Sequence, residues 1–111
     1  VNGKFPLKAR EQGKYILDGT SKSADWQGYI PAAHNPHVRN PARGFVSSAN
    51  QSSVDPSYPY YINWEFAHTE RGRRINDRLS KMTMANVDSL RNMQNDNYNL
   101  RANDILPSLS S

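Results

Sequence analysis

The sequence predicts an α+β chain, with N-terminal antiparallel strands followed by a helical C-terminal half. Three observations predict it. Apolar residues alternate with polar ones or prolines in parts of residues 1–50, which is the period of a half-buried strand. Residues 51–61 are a polar linker crowded with turn formers. From residue 62 to 111 the apolar positions recur every three or four residues, as on one face of a helix.

The strand-rich part is read as follows. Phe5, Leu7 and Ala9 alternate with Pro6 and Lys8, Tyr15-Ile16-Leu17 is a short apolar run, and Asp18-Gly19 supplies a turn. Asp25 to Ile30 reads as a strand entering a bend that Pro31 closes. Asn40-Pro41-Ala42-Arg43-Gly44 is a punctuated turn, after which Phe45, Ser47 and Ala49 face one way and Val46, Ser48 and Asn50 the other. A strand here delivers the Asn50 carboxamide, a neutral hydrogen-bond donor, at its end. The competing reading is that Asn50 begins a turn, because Asn-Gln-Ser-Ser-Val-Asp-Pro is rich in turn formers.

In the second half, a first helix is expected from Ile62 or Asn63 to Lys81. Its clearest face is Arg71, Ile75, Leu79 and Met82, which sets Arg71 on the apolar stripe and leaves Arg74, Arg78 and Lys81 off it. An arginine on such a stripe needs a carboxylate, a carbonyl or a polar cluster to meet, unless it snorkels at the edge. Glu70–Arg74 and Asp77–Lys81 have the i,i+4 spacing of helix-supporting ion pairs. Thr83 is expected to cap a second helix through Met84, Val87, Leu90 and Met93. Asn95-Asp96-Asn97 should end it and cap a third, in which Tyr98, Ala102, Ile105 and Leu109 keep helical spacing until Pro107 disrupts the last turn.

Composition narrows the functional classes. The chain has 111 residues, 36% of them hydrophobic, a mean hydropathy of −0.86, 7 Pro and 6 Gly, which is polar for a self-sufficient domain and fits a piece of a larger fold. No run is apolar enough to span a bilayer, so no membrane partner is expected. Without cysteine there is no disulfide, thiolate metal site or cysteine nucleophile. The net charge of +4 raises an anionic partner, and Arg71, Arg73, Arg74, Arg78 and Lys81 follow an aromatic stretch. The acid–base spacing favours a solvated helix face over nucleic-acid binding. His34 and His37 flank Asn35-Pro36 with no carboxylate cluster to complete a metal shell, and the serines lack a local histidine partner. Asn50-Gln51-Ser52 fits the glycosylation pattern, a three-residue match of little specificity.

Taken together, Gly28-Tyr29-Ile30-Pro31, Asn40-Pro41 through Gly44-Phe45-Val46, Ala49-Asn50-Gln51, Tyr58-Pro59-Tyr60-Tyr61, Arg71 with Arg74-Ile75, and Gln94-Asn95-Asp96 leading to Ile105-Leu106-Pro107 occur in an order that resembles the penicillin amidase (penicillin acylase) family across the whole chain. The resemblance implies a segment, residues 1–111, of the large subunit of an N-terminal nucleophile hydrolase, with a four-layer αββα fold and a periplasmic or extracellular location. By the same resemblance, an autoproteolytic precursor frees a serine that attacks a linear N-acyl amide through an acyl-enzyme, its own α-amino group, with an ordinary pKa of about 7.7–8, serving as base directly or through water. The substrate class is a penicillin, an N-acyl homoserine lactone or a related acylated amine.

Carried onto this sequence, the resemblance makes Asn50 the oxyanion-hole donor and Arg71 the orienting or supporting arginine. Val1 stands where no nucleophile is available, so the segment alone is expected to be inactive, with the small subunit and the nucleophile-bearing part of the parent chain as its partners. Isolated, it is expected to self-associate over faces the parent covers. No cofactor is expected in this segment. Structural calcium belongs to some members, but Tyr60, Tyr61, Ile62 and Asn63 after Pro59 offer no carboxylate for it. The alternatives from other classes are a non-catalytic structural or binding module and a basic nucleic-acid-binding segment.

Overall fold

A computed structural model describes residues 3–109 and divides the chain into two units. The first comprises the residues up to His37 together with Ser52–Phe66; the second comprises Val38–Gln51 and the residues from Ala67 onward. The expected helical span to residue 111 runs past the described residues at 110–111, as Val1 does at the other end.

The first unit corrects the expected fold class. Among the described residues there is no strand, only an isolated antiparallel bridge between Pro6 and Tyr29. The two segments read as strands do meet: Leu7 N–H donates to Gly28 O (2.9 Å), Gln27 N–H to Leu7 O (3.0 Å) and Ile30 N–H to Phe5 O (2.9 Å). The ladder stops there for local reasons. Pro6 has no N–H to give, Gly28 turns the backbone to φ 110°, and Pro31 ends the run. Ile30, 4% exposed, is the buried apolar residue among the described residues of this unit, whereas Ile16 in the expected apolar run is fully exposed.

Turns and one amide side chain hold the rest of this unit. Gln12 is buried; its Oε1 accepts from Ala9 N–H (2.8 Å) and its Nε2 donates to Ala24 O (2.7 Å), tying the loop near residue 10 to the 3₁₀ turn Lys22–Ala24. Asp18-Gly19 turns as expected, with Ser21 N–H on Asp18 O. A second 3₁₀ turn, Ala32–His34, is fastened to the linker by Tyr58 Oη donating to His34 O (3.0 Å) and by His34 Nδ1 with Tyr60 Oη (2.7 Å).

The second unit holds three helices: α1 (Thr69–Ser80), α2 (Val87–Gln94) and α3 (Leu100–Leu109). α1 starts well after Ile62, with His68 as its cap in a non-helical conformation and Ala67 N–H spent on Asn50 O (2.8 Å). Its first-turn Glu70 suits the positive end of the helix dipole. α2 is capped by Asn86 rather than Thr83: Asn86 Oδ1 accepts from Ser89 N–H (2.8 Å) and Ser89 Oγ from Asn86 N–H (2.9 Å), a reciprocal box built with serine. α2 ends at the Asn-Asp-Asn cluster as expected, and Asn99 Oδ1 takes Ala102 N–H (3.1 Å) at the start of α3. Pro107 lies inside α3 without ending it, the helix running on to Leu109. No helix among the described residues is long and apolar enough to cross a membrane.

The expected strand over 45–50 is also absent. Phe45, Ser47 and Ala49 are indeed the more buried set and Val46, Ser48 and Asn50 the exposed one, but no neighbouring segment pairs with them. Alternation reports which side faces protein; a sheet needs a partner as well. Asn50 instead takes φ 62°, in the left-handed region that asparagine tolerates better than most residues.

Candidate active site

The site residues singled out in the sequence, Asn50 and Arg71, lie together in the second unit. The segment that delivers Asn50 begins with a tight turn closed by Gly44 N–H on Pro41 O (2.9 Å), with Gly44 at φ 77°. Arg43 folds back over the Phe45 ring, 4.8 Å from its centroid, and donates to Phe45 O. Ser47 Oγ then donates to Asn76 Oδ1 on α1 (2.6 Å), and Ala49 is 4% exposed. Gln51 Oε1 accepts from Ala49 N–H (2.6 Å), so the turn at Asn50 is closed by a neighbouring amide.

Arg71, in the first turn of α1, meets this turn end-on. Its Nη2 donates to Ala49 O (2.8 Å) and to Asn50 Oδ1. Both side chains are otherwise exposed, so the expected inward stripe is not what holds Arg71; a carbonyl and a carboxamide oxygen do. A guanidinium carries no acceptor, so of the two ends of a carboxamide only the oxygen can hydrogen-bond to it. That fixes which way round the Asn50 amide lies: Oδ1 toward Arg71, and Nδ2 on the other side, making no hydrogen bond among the described residues.

One helical turn on, α1 carries a second cationic contact that sequence reading missed. Arg74, half-buried, donates from Nε to Asp96 Oδ2 (2.9 Å), brings Nη2 to 2.8 Å of the same oxygen, and lies over the Tyr98 ring at 4.5 Å. Asp96, whose side chain is 12% exposed, also accepts Tyr98 N–H on Oδ1 (3.1 Å) and has Arg78 Nε at 3.5 Å. The Tyr98 N–H and the two guanidiniums hold its carboxyl below the usual aspartate range. Arg74 thus turns to Asp96 instead of the expected Glu70, while Asp77–Lys81 forms as the spacing implied (2.6 Å). The signal for Asp96 lay in the Asn-Asp-Asn cluster, where it was read as a helix breaker. A cleft of about 660 Å³ runs along this side of α1, with Arg71, Arg74, Ile75, Asp96 and Tyr98 among its walls.

The basic cluster behind the nucleic-acid alternative is largely neutralised within the chain. Arg73 pairs with Asp104 (2.7 Å), Arg74 and Arg78 with Asp96, and Lys81 with Asp77. His34 and His37 are engaged with Tyr60 Oη and Asn35 O respectively, and Ser47 with Asn76.

Comparison with known proteins places these residues in context. The sequence model of the penicillin amidase family matches residues 1–111. The chain is 29% identical over 105 residues to the acyl-homoserine lactone acylase QuiP of Pseudomonas putida, covering 95% of this chain and 13% of that protein. It is 32% identical over 79 residues to the penicillin acylase 2 proenzyme of Pseudomonas sp. strain SE83, covering 71% of this chain and 10% of that protein. With the QuiP acylase of Pseudomonas aeruginosa it shares 26% over 100 residues, 90% of this chain and 12% of that protein. The chain therefore spans about a tenth of the length of the curated relatives it matches. No solved structure matches it significantly. The chain belongs to the penicillin amidase family.

Proposed function

We propose that this chain is the part of a longer amidohydrolase that supplies its oxyanion donor, Asn50, and the arginine that orients it, Arg71. The reaction is hydrolysis of a linear N-acyl amide through an acyl-enzyme formed on an N-terminal serine carried elsewhere in the protein. The names of the relatives point to acylated amines bearing a β-lactam or a homoserine lactone as the substrate class.

The observation that carries the reading is the pairing of Arg71 Nη2 with Asn50 Oδ1. As the serine adds to the amide carbonyl, negative charge gathers on the carbonyl oxygen, and a fixed N–H donor stabilises it with little reorganisation. Asn50 presents such a donor only in one of its two amide orientations. Arg71 enforces that orientation by occupying the oxygen, and its second bond, to Ala49 O, holds the backbone from which Asn50 projects. The arginine itself stays a spectator to bond making; it acts through the carboxamide.

We also propose that this segment lends no ligand to a structural calcium. Such a site wants six to eight oxygens, usually with carboxylates among them. After Pro59 the side chains are Tyr60, held by His34, then Tyr61 and Ile62, then Asn63, which donates to Glu65 O.

The test is Asn50→Ala in the full-length enzyme. Turnover is expected to fall by about 10²–10³ with KM changed far less, since the contact is made to charge that develops in the transition state. An unchanged kcat removes the oxyanion role.

A further inference from the structure

We propose that Asp96 and Arg74 form a positioning clamp for the Asn50–Arg71 pair, setting the rotation of α1 about its axis and so the place of the Arg71 guanidinium. The proposal rests on the reading of Asn50 and Arg71 given above.

The argument starts from what α1 lacks. None of its residues is fully buried, so no deeply packed apolar face fixes which way the helix is turned. A helix of this length is marginal without tertiary support. Its orientation is left to polar anchors, and these are few and directional. Asn76 meets Ser47 on the segment leading to Asn50, and Arg73 meets Asp104 of α3 in an exposed pair. Arg74 makes the part-buried charged contact among them: two guanidinium nitrogens on one carboxylate oxygen, with its plane over Tyr98. Such a fork resists rotation in a way a single ammonium contact does not.

Arg74 follows Arg71 by three residues, so the two side chains leave neighbouring positions on one side of α1. Arg71 reaches toward residues 49–50, and Arg74 toward the α2–α3 connection. The Asp96 carboxylate is itself pinned, by Tyr98 N–H on its other oxygen. A roll of α1 by roughly 10° would carry a guanidinium at the end of its side chain by about 1 Å. That is enough to spoil a contact whose purpose is to hold a carboxamide in one orientation, and misplacements of about 1 Å cost up to about 100-fold in turnover in other enzymes.

The experiment uses the full-length enzyme, with Asp96→Ala, Asp96→Glu and Arg74→Lys each made in the parent and in an Asn50→Ala background, and folding followed by thermal unfolding. Asp96→Ala is expected to lower kcat about 10-fold with KM within about twofold, and Asp96→Glu to recover part of the loss. Arg74→Lys keeps the charge but not the fork or the stacking and should lose several-fold. In the Asn50→Ala background all three should cost nothing further, because the group through which they act is gone. A general structural defect would lower the residual activity of that background by the same factor, and this result overturns the clamp, as does an unchanged kcat in folded Asp96→Ala. If Asp96→Ala does not fold, Arg74→Lys carries the same comparison. Should Asn50→Ala itself leave kcat intact, the oxyanion reading fails, and the clamp falls with it; loss in Asn50→Ala without loss in the Asp96 and Arg74 variants rejects the clamp alone.

Discussion

The two units are held by different kinds of bond. In the first, neutral groups dominate: Gln12 bridges Ala9 N–H and Ala24 O, three backbone bonds surround the Pro6–Tyr29 bridge, and tyrosine hydroxyls fasten His34. In the second, charged groups dominate: Arg71 on an amide and a carbonyl, Arg74 and Arg78 on Asp96, Arg73 on Asp104, Lys81 on Asp77. The difference follows from composition along the chain, since five of the cations fall between residues 71 and 81 while residues 3–37 are punctuated by Pro and Gly. It teaches that a chain with so little apolar burial can still be specified, by neutral amide geometry in one place and by arginine forks in another.

The contrast breaks most visibly at Gln12. Gln12→Leu leaves Ala9 N–H and Ala24 O without their partners at a part-buried site, which should destabilise the full-length protein by about 1–2 kcal/mol in urea unfolding. A loss of a few tenths would mean that water replaces the amide at little cost. The second unit should respond in the opposite direction at Gly72. A Cβ there would sit 3.7 Å from Gln51 Oε1 and 3.9 Å from the Ala49 Cβ, ordinary contact distances, so Gly72→Ala should stabilise by up to about 1 kcal/mol through helix propensity. Destabilisation would show that α1 needs closer approach to the Asn50 turn than these distances imply.

The smallest effects sharpen the comparison most. Asp18 and Asp55 in the first unit are held below the ordinary carboxylate range by the hydroxyls and N–H groups of Thr20 and Ser57. Asp77 in the second is held low chiefly by Lys81, with Arg74 and Arg78 adding to it. All three are depressed in the folded state, so each contributes stability that is complete above the unfolded pKa, near 4, and is lost as pH falls through the folded value. Salt screens a cation but not a hydroxyl donor. The destabilisation caused by Asp77→Asn at neutral pH should therefore shrink between about 0.05 and 0.5 M salt, and that caused by Asp18→Asn should not. Equal salt responses, read from thermal unfolding, would erase the distinction between the units.

Local features were the legible ones. The turns at Asp18-Gly19 and Pro41–Gly44, the order of three helices, the break at Asn95–Asn97 and the Asp77–Lys81 pair all depend on residues within a few positions of each other. The strands were not, because alternation at Phe5–Ala9 and Phe45–Asn50 tells which side is covered and is silent on whether a second segment lies alongside. The start of α1 was misplaced by several residues since the pull of Asn50 O on Ala67 N–H acts across 17 positions. The cap of α2 lies at Asn86 rather than Thr83 because Ser89 closes a reciprocal box with Asn86. At the candidate site, Asn50 and Arg71 came from the family resemblance and from spacing, whereas the Arg74–Asp96 contact spans 22 residues and carries no periodic signature.

The second unit is assembled from two stretches of chain separated by the stretch Ser52–Phe66, and this dictates timing. A ribosome delivers Asn50 before the guanidinium that is to hold it, which follows 21 residues behind. At about 5–20 residues per second, the nascent carboxamide waits roughly 1–4 s for its partner. Closing that loop carries an entropic cost, which the bonds of Arg71 to Ala49 O and Asn50 Oδ1 must offset before the carboxamide is held in one orientation.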